Sequence, residues 1–495
     1  MSFKEVNRLR KSGHLEEAAK LSQRDMAFDA DDEWNKRGAM WVYYEYMKLS
    51  VERNNISEFL IQLEKISELD LPPNEKIAFD SVAWSIGKLL FANDSIGISV
   101  LDKIFTFIQT FNFSRPKDSY SFLLKAFKKH SADWDGFCEF VNWWGLDNFQ
   151  QSDYESFVMD NGKKIPSLVE SIYIALSKYL LSKTNNEKQI EDFLPRIEHI
   201  SNTYKKMQYP PYYYGLLLLR MGDKDLFLKA FIPFVKKKQK DFWVWSHLAE
   251  AFEPTSEEYF MCLCKSMHCN APDKFSIGVR QKLADAMVQR KMFAEAKYEY
   301  QKIIAIRENE GWPLKEVHKN WLRQSWWMTS VAVKTNQQLY AKNAGLSNNL
   351  LYTDIPEQIA VVTNVNTSKK VFGFSISKEI NGFSVYAMFD YIPKQGDFVK
   401  IRLKPKEDNK SNFYKLYSLD KTTDLPSDEI YKIISGKLVI HKTNSFGFID
   451  NVYVSPQIIS KHKLANNQEI MAIAIQTYNT KRKAWGWNVI DIEKG

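Results

Sequence analysis

The sequence predicts a multidomain chain in which an all-α region is followed by two small all-β domains. Its 495 residues exceed what a single hydrophobic core holds, so several domains are expected. As far as residue 345, apolar residues recur at the spacing of amphipathic helices. Beyond it, short runs with alternating apolar residues are separated by turn sequences such as INGF and KQGD. We therefore expect helices over 1–345 and β domains over 356–425 and 434–495.

The join between the two regions is expected at NAGLSNN, Asn343 to Asn349. Gly and Asn are frequent just past the end of a helix and in loops. This segment therefore predicts the end of the last helix.

Composition and charge favour a soluble globular protein. Hydrophobic residues make up 44% and charged residues 26%, and no apolar run approaches the roughly 18 residues that a membrane span needs. The start, MSFKEVNRLRKSGHLEEAAK, predicts a charged amphipathic helix and not a secretory signal, so a cytoplasmic protein without a membrane partner is expected. The net charge of +8 permits polyanion binding without requiring it.

Motifs of the common enzyme classes are missing from the sequence: it has no GxxxxGK[ST] loop, HExxH or GxSxG, and no GxGxxG that opens a helix after a strand. Cys262, Cys264, His268 and Cys269 form a cluster with the chemistry of a zinc site. Residues two apart on a helix point about 200° apart, however, and no CxxC pair is present, so buried structural cysteines are expected. We predict a non-catalytic protein with no cofactor, metal or small-molecule substrate; an enzyme with a diffuse site on the helical region is the third alternative.

The helical region repeats one helix-turn-helix spacing. In LADAMVQRKMFAEAKYEYQKIIAIREN, the small residues Ala284 and Ala296 stand where two helices must approach closely. Looser copies are WSHLAEAFEPTSEEYFMCLCKSMHCNAPD, YYYGLLLLRMGDKDLFLKAFIPFV and RLRKSGHLEEAAKL, the last with Gly13 in its turn and Ala18 in its helix contact. These spacings resemble the tetratricopeptide repeat, and residues 31–200 are expected to continue the stack as helical hairpins. The resemblance implies an α-solenoid whose concave face holds a protein partner.

The basic run KKKQK, Lys236 to Lys240, has two interpretations. A solvated helix end is the favoured one, because lysines are stabilising near the C-terminus of a helix. A contact to phosphate is the alternative.

The carboxyl-terminal segment, Gly436 to Asp491, predicts five strands: KLVIH, SFGFID, NVYVS, EIMAIAIQTYN and AWGWNVIDI. Five short strands suit a small OB-type barrel. Because alternate side chains of a strand point to opposite faces, Phe446 and Phe448 share one face, and Tyr453 points away from the valines that flank it. The pattern predicts three aromatic rings on a single face, for which burial in a core and stacking on bases are the two explanations.

The strand pair SFGFI and VYVS resembles the KGFGFI and VFVH strands of cold-shock domains, in the same order and at the same spacing, over about 56 residues. The resemblance implies that Phe446, Phe448 and Tyr453 stack on the bases of single-stranded RNA or DNA. The segment departs from that family at several contact positions. Asn444 and Ser445 replace a lysine, Ser455 replaces a histidine, and the family's exposed tryptophan falls at Ile440 or His441.

Basic and aromatic residues in YNTKRKAWGW offer compensating contacts. Lys481, Arg482 and Lys483 are predicted to form a hairpin tip, and Trp485 and Trp487 to share one face of the last strand. From residue 437 onward, seven Lys and one Arg stand against two Asp and two Glu, a balance of +4 that favours a phosphate backbone.

A second copy of the pattern precedes this one. VFGFSI and VYAMF repeat the paired motifs, and QGDFVKI resembles the glycine-led fourth strand of the cold-shock family. The resemblance implies stacking by Phe372, Phe374 and Tyr386, with Lys369 and Lys370 just before them. The alternative is that each barrel packs its aromatic face on the other barrel or on the helical region.

The combined architecture, a helical-repeat region with two cold-shock-like barrels, resembles accessory proteins that bacteria encode beside nucleic-acid-handling conflict or defence systems. We predict a non-catalytic adaptor that binds single-stranded nucleic acid through the barrels and a protein through the solenoid. RNA is favoured over DNA as the nucleic-acid ligand. Binding would combine stacking with backbone electrostatics and little sequence readout. The alternative is a pure protein-interaction scaffold whose barrels bind peptides or are merely packed.

Overall fold

The computed structural model describes residues 2–387, 389, 391–405, 413–441, 443, 445–479 and 484–493. The chain divides into two compact units, Met1–Phe231 and Ile232–Gly495. The first unit is mainly helical, and the second combines helices with both β domains. Over the described ranges, no helix is both long and apolar enough to cross a lipid bilayer.

The first unit consists of helices joined by short connections, with one small β-hairpin. Its elements are α1 (Ser2–Lys11), α2 (Leu15–Phe28), α3 (Glu33–Glu52), α4 (Ile56–Glu68), α5 (Lys76–Ala92), α6 (Ile98–Ile108), α7 (Asp118–Lys128), α8 (Phe137–Trp144), β1 (Phe157–Val158), β2 (Lys164–Ile165), α9 (Leu168–Ser182), α10 (Glu187–Thr203), α11 (Pro210–Arg220) and the start of α12 (Lys224–Lys237).

A large hydrophobic core extends from α3 to α11. Within it, the rings of Tyr120 and Trp144 stack with centroids 4.9 Å apart. The Tyr120 hydroxyl donates to the carbonyl of Trp144, and Trp144 Nε1 donates to the carbonyl of Tyr120, both at 3.0 Å. The two buried polar groups are therefore satisfied by each other's backbone. At the amino-terminal turn, Gly13 adopts a positive φ of 84° and Ala18 is buried, which confirms the predicted turn and packing residue.

The helices of the second unit are α13 (Phe242–Ala249), α14 (Glu257–His268), α15 (Asp273–Gln289), α16 (Phe293–Asn309), α17 (Glu316–Leu322), α18 (Ser325–Thr329) and α19 (Gln337–Leu351). α14 packs against α13, α15 and α19. It is therefore covered on several sides, and Cys262 and Cys264 are both buried although they point in nearly opposite directions. Burial raises the pKa of both thiols. The expectation of buried cysteines is confirmed for this pair.

The predicted close approach of two helices is present between α15 and α16. Ala284 and Ala296 are fully buried, as are Leu283 and Ile303, whereas Phe293 is only partly buried. Small residues at the contact allow the two helices to pack closely.

The carboxylate of Glu299 links α15, α16 and α19 inside the second unit. It is fully buried and lies 2.7 Å from Arg280 Nη1 of α15. On the side of α19, Asn336 Nδ2 donates to Glu299 Oε1 at 2.6 Å, and the Tyr340 hydroxyl donates to the same oxygen. A buried carboxylate is tolerated only when it is paired and hydrogen-bonded, so this contact fixes where α19 packs.

The expected helix end at Asn343–Asn349 is wrong, because α19 continues through this segment to Leu351. Ala344 and Ser347 are fully buried within it, and the helix packs along α14. Tertiary packing thus outweighs the low helix propensity of Gly and Asn.

The first β domain, barrel 1, is a five-stranded antiparallel sheet in the order β5-β4-β3-β6-β7, and a parallel bridge between Phe383 and Phe413 connects its two edges. Its strands are β3 (Gln358–Asn366), β4 (Val371–Ser375), β5 (Asn381–Val385), β6 (Phe398–Pro405) and β7 (Tyr414–Lys421).

The second β domain, barrel 2, is a closed five-stranded barrel in the order β10-β12-β11-β8-β9, in which β10 and β12 pair in parallel. Its elements are β8 (Tyr431–Ile440), β9 (Gly447–Ile449), β10 (Val452–Val454), α20 (Pro456–His462), β11 (Glu469–Asn479) and β12 (Ala484–Ile492). The order of an all-α region followed by two small all-β domains is confirmed.

The two barrels pack directly against each other through an apolar contact. Val361 and Phe398 of barrel 1 meet Ile430, Ile475 and Ile490. The ring of Phe398 also lies edge-on to Tyr431 at the start of β8, with centroids 5.0 Å apart. The contact between the barrels thus consists of aliphatic residues and Phe398, and the aromatic residues predicted to stack on bases take no part in it.

Replacing Ala296 by Leu tests the close contact between α15 and α16. The added methylenes have no room in the fully buried site, so we expect a loss of roughly 1–3 kcal/mol in the free energy of unfolding. Urea denaturation measures it, with Gln301→Leu, an exposed position on the same helix, as the control. Equal stability of the two variants would contradict the helix contact.

Replacing Glu299 by Ala tests the buried link to α19. The change leaves the Arg280 guanidinium buried without its carboxylate, and we expect a loss of about 3–5 kcal/mol. Glu308→Ala, at an exposed position of α16, is the matched control and should change stability by less than about 0.5 kcal/mol. The link would be disproved if both variants unfolded at the same urea concentration.

Candidate nucleic-acid interface

The hairpin of β9 and β10 presents aromatic rings on the outside of barrel 2. Phe448 pairs with Tyr453 across the hairpin and with Val439 of β8 on its other side. The alternate positions, Ile449 among them, are buried in the barrel core. Aliphatic side chains thus fill the interior of this hairpin, and the aromatic side chains are left on the outer face.

Three of the rings form a contiguous surface. The centroid of Phe446 lies 5.7 Å from that of Phe448 and 5.6 Å from that of Tyr453, and Phe448 lies 5.8 Å from Tyr453. Phe448 is 39% exposed and the neighbouring Val439 is 57% exposed. The structure therefore brings the three predicted residues together on one accessible face, which we call the aromatic face.

His441 adds a fourth ring to the aromatic face. Its imidazole stacks on Phe446 with centroids 5.0 Å apart and planes 19° apart. The cold-shock resemblance places the family's missing tryptophan at Ile440 or His441, and of these two His441 extends the stacking surface. Lys437 and Val439 precede it at alternate positions of β8 and are also exposed. Lys437 therefore lies on the same side of β8 as the aromatic face, with Glu469 of β11 as its cross-strand partner.

The remaining residues predicted for barrel 2 lie elsewhere. Trp485 and Trp487 do share one face of β12, but it is the face of the buried Val489, whereas the neighbouring Asn488 pairs with Tyr453. The ring of Trp487 partly covers the core. These tryptophans are therefore not part of the aromatic face.

The predicted basic hairpin tip, Lys481, Arg482 and Lys483, lies outside the described residues. Among the described residues, Lys432 of β8 holds its ammonium group 4.2 Å from the ring centroid of Trp487.

The predicted stacking residues of barrel 1 are interior residues, so this expectation is wrong for Phe372, Phe374 and Tyr386. All three are buried in the core of barrel 1, together with residues such as Val399 and Ile401. Rings in this position are shielded from a ligand by the sheet itself. Lys369 and Lys370 do lie on the surface, in the turn between β3 and β4.

The physical reason is the composition of the two faces of β4. Phe372 and Phe374 alternate with Val371, Gly373 and Ser375, and this second set offers little apolar surface to a core. Burying the two phenylalanines is the only register that fills the interior. VYAMF also follows β5 instead of forming it, since β5 ends at Val385.

Barrel 1 exposes a different aromatic pair. Phe383 of β5 is 40% exposed and lies over Gly373, its cross-strand partner. Its ring centroid is 5.8 Å from that of Phe413. The sequence signal for Phe383 is the alternation in NGFSV, where Phe383 and Val385 share one face.

Phe374 and Phe448 occupy similar positions in the two motifs, but one ring is buried and the other is exposed. Their removal should therefore change the free energy of unfolding by different amounts. Phe374→Ala removes a buried ring and should cost about 3–5 kcal/mol of stability. Phe448→Ala removes an exposed ring and should cost less than about 1 kcal/mol. Thermal unfolding of the two variants measures the difference, and a larger loss for Phe448→Ala would reverse the assignment of faces.

Comparison with protein-family models gives three matches. Residues 352–416 match S1/CSD-like domain 1 of the TOTE conflict systems, and residues 432–492 match S1/CSD-like domain 2 of the same systems. Residues 208–346 match a domain of unknown function, DUF7017. No match was found among curated proteins. The two β domains are thus similar to the paired S1/CSD-like domains of conflict systems, as the cold-shock resemblance predicted.

Proposed function

We propose that the chain is a non-catalytic adaptor that binds single-stranded nucleic acid, with RNA as the ligand, through the aromatic face of barrel 2. The observation that carries the proposal is the cluster of Phe446, Phe448 and Tyr453 on an accessible face, with His441 stacked at its edge. The similarity to S1/CSD-like domains supports it. Outward aromatic rings on a small barrel are the usual platform for unpaired bases.

Binding combines two physical contributions. Each base that stacks on a ring of the aromatic face contributes roughly 1–3 kcal/mol, whatever its identity, because every base has a π face. Lysines at the rim, such as Lys437, attract the phosphates and make the affinity depend on salt. Since neither contribution reads base edges, little sequence preference is expected.

The proposed protein partner binds the helical region. In the first unit, the β1–β2 hairpin exposes apolar side chains: Phe157 is 65% exposed and Val158 57%. Met159 and Ile165 extend the same exposed set. Contiguous exposed apolar residues mark protein interaction sites, which supports a docking role for this hairpin.

A second candidate function, a protein-interaction scaffold whose barrels are packed modules, is favoured by one observation on barrel 1. Its predicted stacking residues are buried, and Phe398 packs on barrel 2. Under this alternative, barrel 1 would orient barrel 2 without touching a ligand.

Substitution of the aromatic face tests the proposed function. Phe448→Ala and Tyr453→Ala should each weaken binding of a fluorescein-labelled single-stranded RNA by roughly 1–3 kcal/mol, measured by anisotropy. Phe157→Ala, an exposed phenylalanine outside the barrels, is the control and should bind as the wild type does. Single-stranded DNA and duplex RNA of the same sequence complete the comparison. Unchanged binding by both barrel variants would favour the scaffold.

Neutralising the basic segment tests the electrostatic contribution. Replacing Lys481, Arg482 and Lys483 by Ala should lower the slope of log affinity against log salt by roughly 0.7 for each phosphate that these side chains neutralise in the wild type. Stacking is insensitive to salt, so affinity extrapolated to high salt should change little. A slope equal to that of the wild type would show that these residues do not bind phosphate.

A further inference from the structure

A basic cleft lies in the second unit between the helices and barrel 1. Its volume is about 1190 Å³. One wall is formed by the segment Lys236–Lys240, which contains the last two residues of α12 and the three that follow it, and by Lys265 of α14. The other wall is the outer surface of barrel 1, including Lys404 of β6 and Lys415 of β7. Seven lysines therefore line the same cleft.

The lysines of the cleft outnumber the carboxylates beside them. Among the lining residues the acidic ones are Asp241 and Asp354, so the balance is +5. Asp354 lies 3.2 Å from Lys236 and 3.9 Å from Lys404, and Asp241 lies 3.5 Å from Lys238. The hydrogen bond from Lys236 lowers the pKa of Asp354, which keeps this carboxyl group ionised.

The other four lysines, Lys237, Lys240, Lys265 and Lys415, have no carboxylate within 4 Å among the residues that the structure describes. Lysines collected at one place repel each other, and an anion that shares the space relieves this repulsion.

Half-buried aromatic rings line the cleft beside the lysines. Tyr414, Tyr417 and Phe389 line the barrel wall. The ammonium group of Lys415 lies 5.1 Å from the ring centroid of Tyr417. A cationic groove with interleaved aromatic rings is the arrangement that tracks a single strand, with phosphates on the cations and bases on the rings.

The cleft continues into a second cavity of about 480 Å³. The two share Gln239, Lys240, Lys265 and Phe389, and the second adds Lys342 of α19 and Asp420 of β7. Small-molecule pockets of about 300–1,000 Å³ are mostly apolar with few polar groups. This cleft is larger, and seven of its 20 lining residues are lysines, so it fits an extended polyanion better than a small ligand.

We propose that this basic cleft binds the phosphodiester backbone of the same single strand whose bases stack on barrel 2. The proposal rests on the proposed function of the aromatic face and extends it to a second site. The two barrels pack directly on each other, so the cleft and the aromatic face belong to the same compact unit. OB-type domains cover roughly 4–16 nucleotides each, so the second site should matter only for longer strands.

Strand length separates the two sites experimentally. The cleft variant replaces Lys237, Lys240 and Lys415 by Ala; these side chains are exposed, so the fold should be unaffected. The control variant replaces the exposed lysines Lys20, Lys88 and Lys178 of the first unit by Ala and has the same net charge. Both are compared with the wild type and with the double variant Phe448→Ala/Tyr453→Ala on labelled oligouridylates of about 6 and about 24 nucleotides, lengths within and beyond one site.

The cleft variant should bind the long strand roughly tenfold or more weakly than the wild type, and its salt slope should fall by roughly 2 because three phosphates are no longer neutralised. Its affinity for the short strand, and its melting temperature, should equal those of the control. The double aromatic variant should lose affinity for both lengths.

The other outcomes discriminate between the two proposals. If the cleft variant behaves as the control on both strands while the aromatic variant is weakened, the cleft proposal is overturned and the proposed function stands. If the cleft variant loses binding and the aromatic variant does not, the proposed role of the aromatic face fails and the cleft stands. An equal loss on a duplex of the same length would overturn the assignment to a single strand.

Discussion

The buried carboxylate of Glu299 is the contact on which the arrangement of the second unit depends. It satisfies Arg280 of α15 and receives hydrogen bonds from Asn336 and Tyr340 at the start of α19. A helix held at its amino end by a charged group has a defined direction, and α19 accordingly lies along α14 and reaches β7 of barrel 1. Glu299 must be paired because it is buried, and its partners hold α19 in place. Since α19 contacts β7, this pairing also helps to position barrel 1 and one wall of the basic cleft.

The two barrels use the same sequence pattern in opposite ways. In barrel 2, Ile449 and its aliphatic neighbours fill the interior, so that Phe448 remains outside. In barrel 1, the interior has no such residues on β4, and Phe372 and Phe374 occupy it. Each face therefore follows from the requirement to bury enough apolar surface, and the outward rings of barrel 2 are available because its core is already complete.

Sequence reasoning succeeded where a pattern is local. The alternation in SFGFI and VYV placed Phe446, Phe448 and Tyr453 on one face, and the small residues at Ala284 and Ala296 located a helix contact. It failed for Phe372 and Phe374 because the motif itself does not determine which face of the strand is buried. The side chains at the alternate positions of β4 are too small to fill the core, so the phenylalanines do. The cleft depends on residues far apart in the chain, such as Lys237 and Lys415, whose proximity no local pattern reveals.

The path of α19 bears on how the parts of this chain can be exchanged or separated. The family match on the helical side ends at residue 346 and the next begins at residue 352, yet α19 runs unbroken to Leu351 and Tyr352 packs on Tyr417 of β7, with ring centroids 4.8 Å apart. A cut at the sequence boundary would therefore pass through a helix and strip packed surface from both pieces. Recombination that respects stability must transfer the second unit, from Ile232 onward, as a whole, and this unit is larger than any of the matched domains.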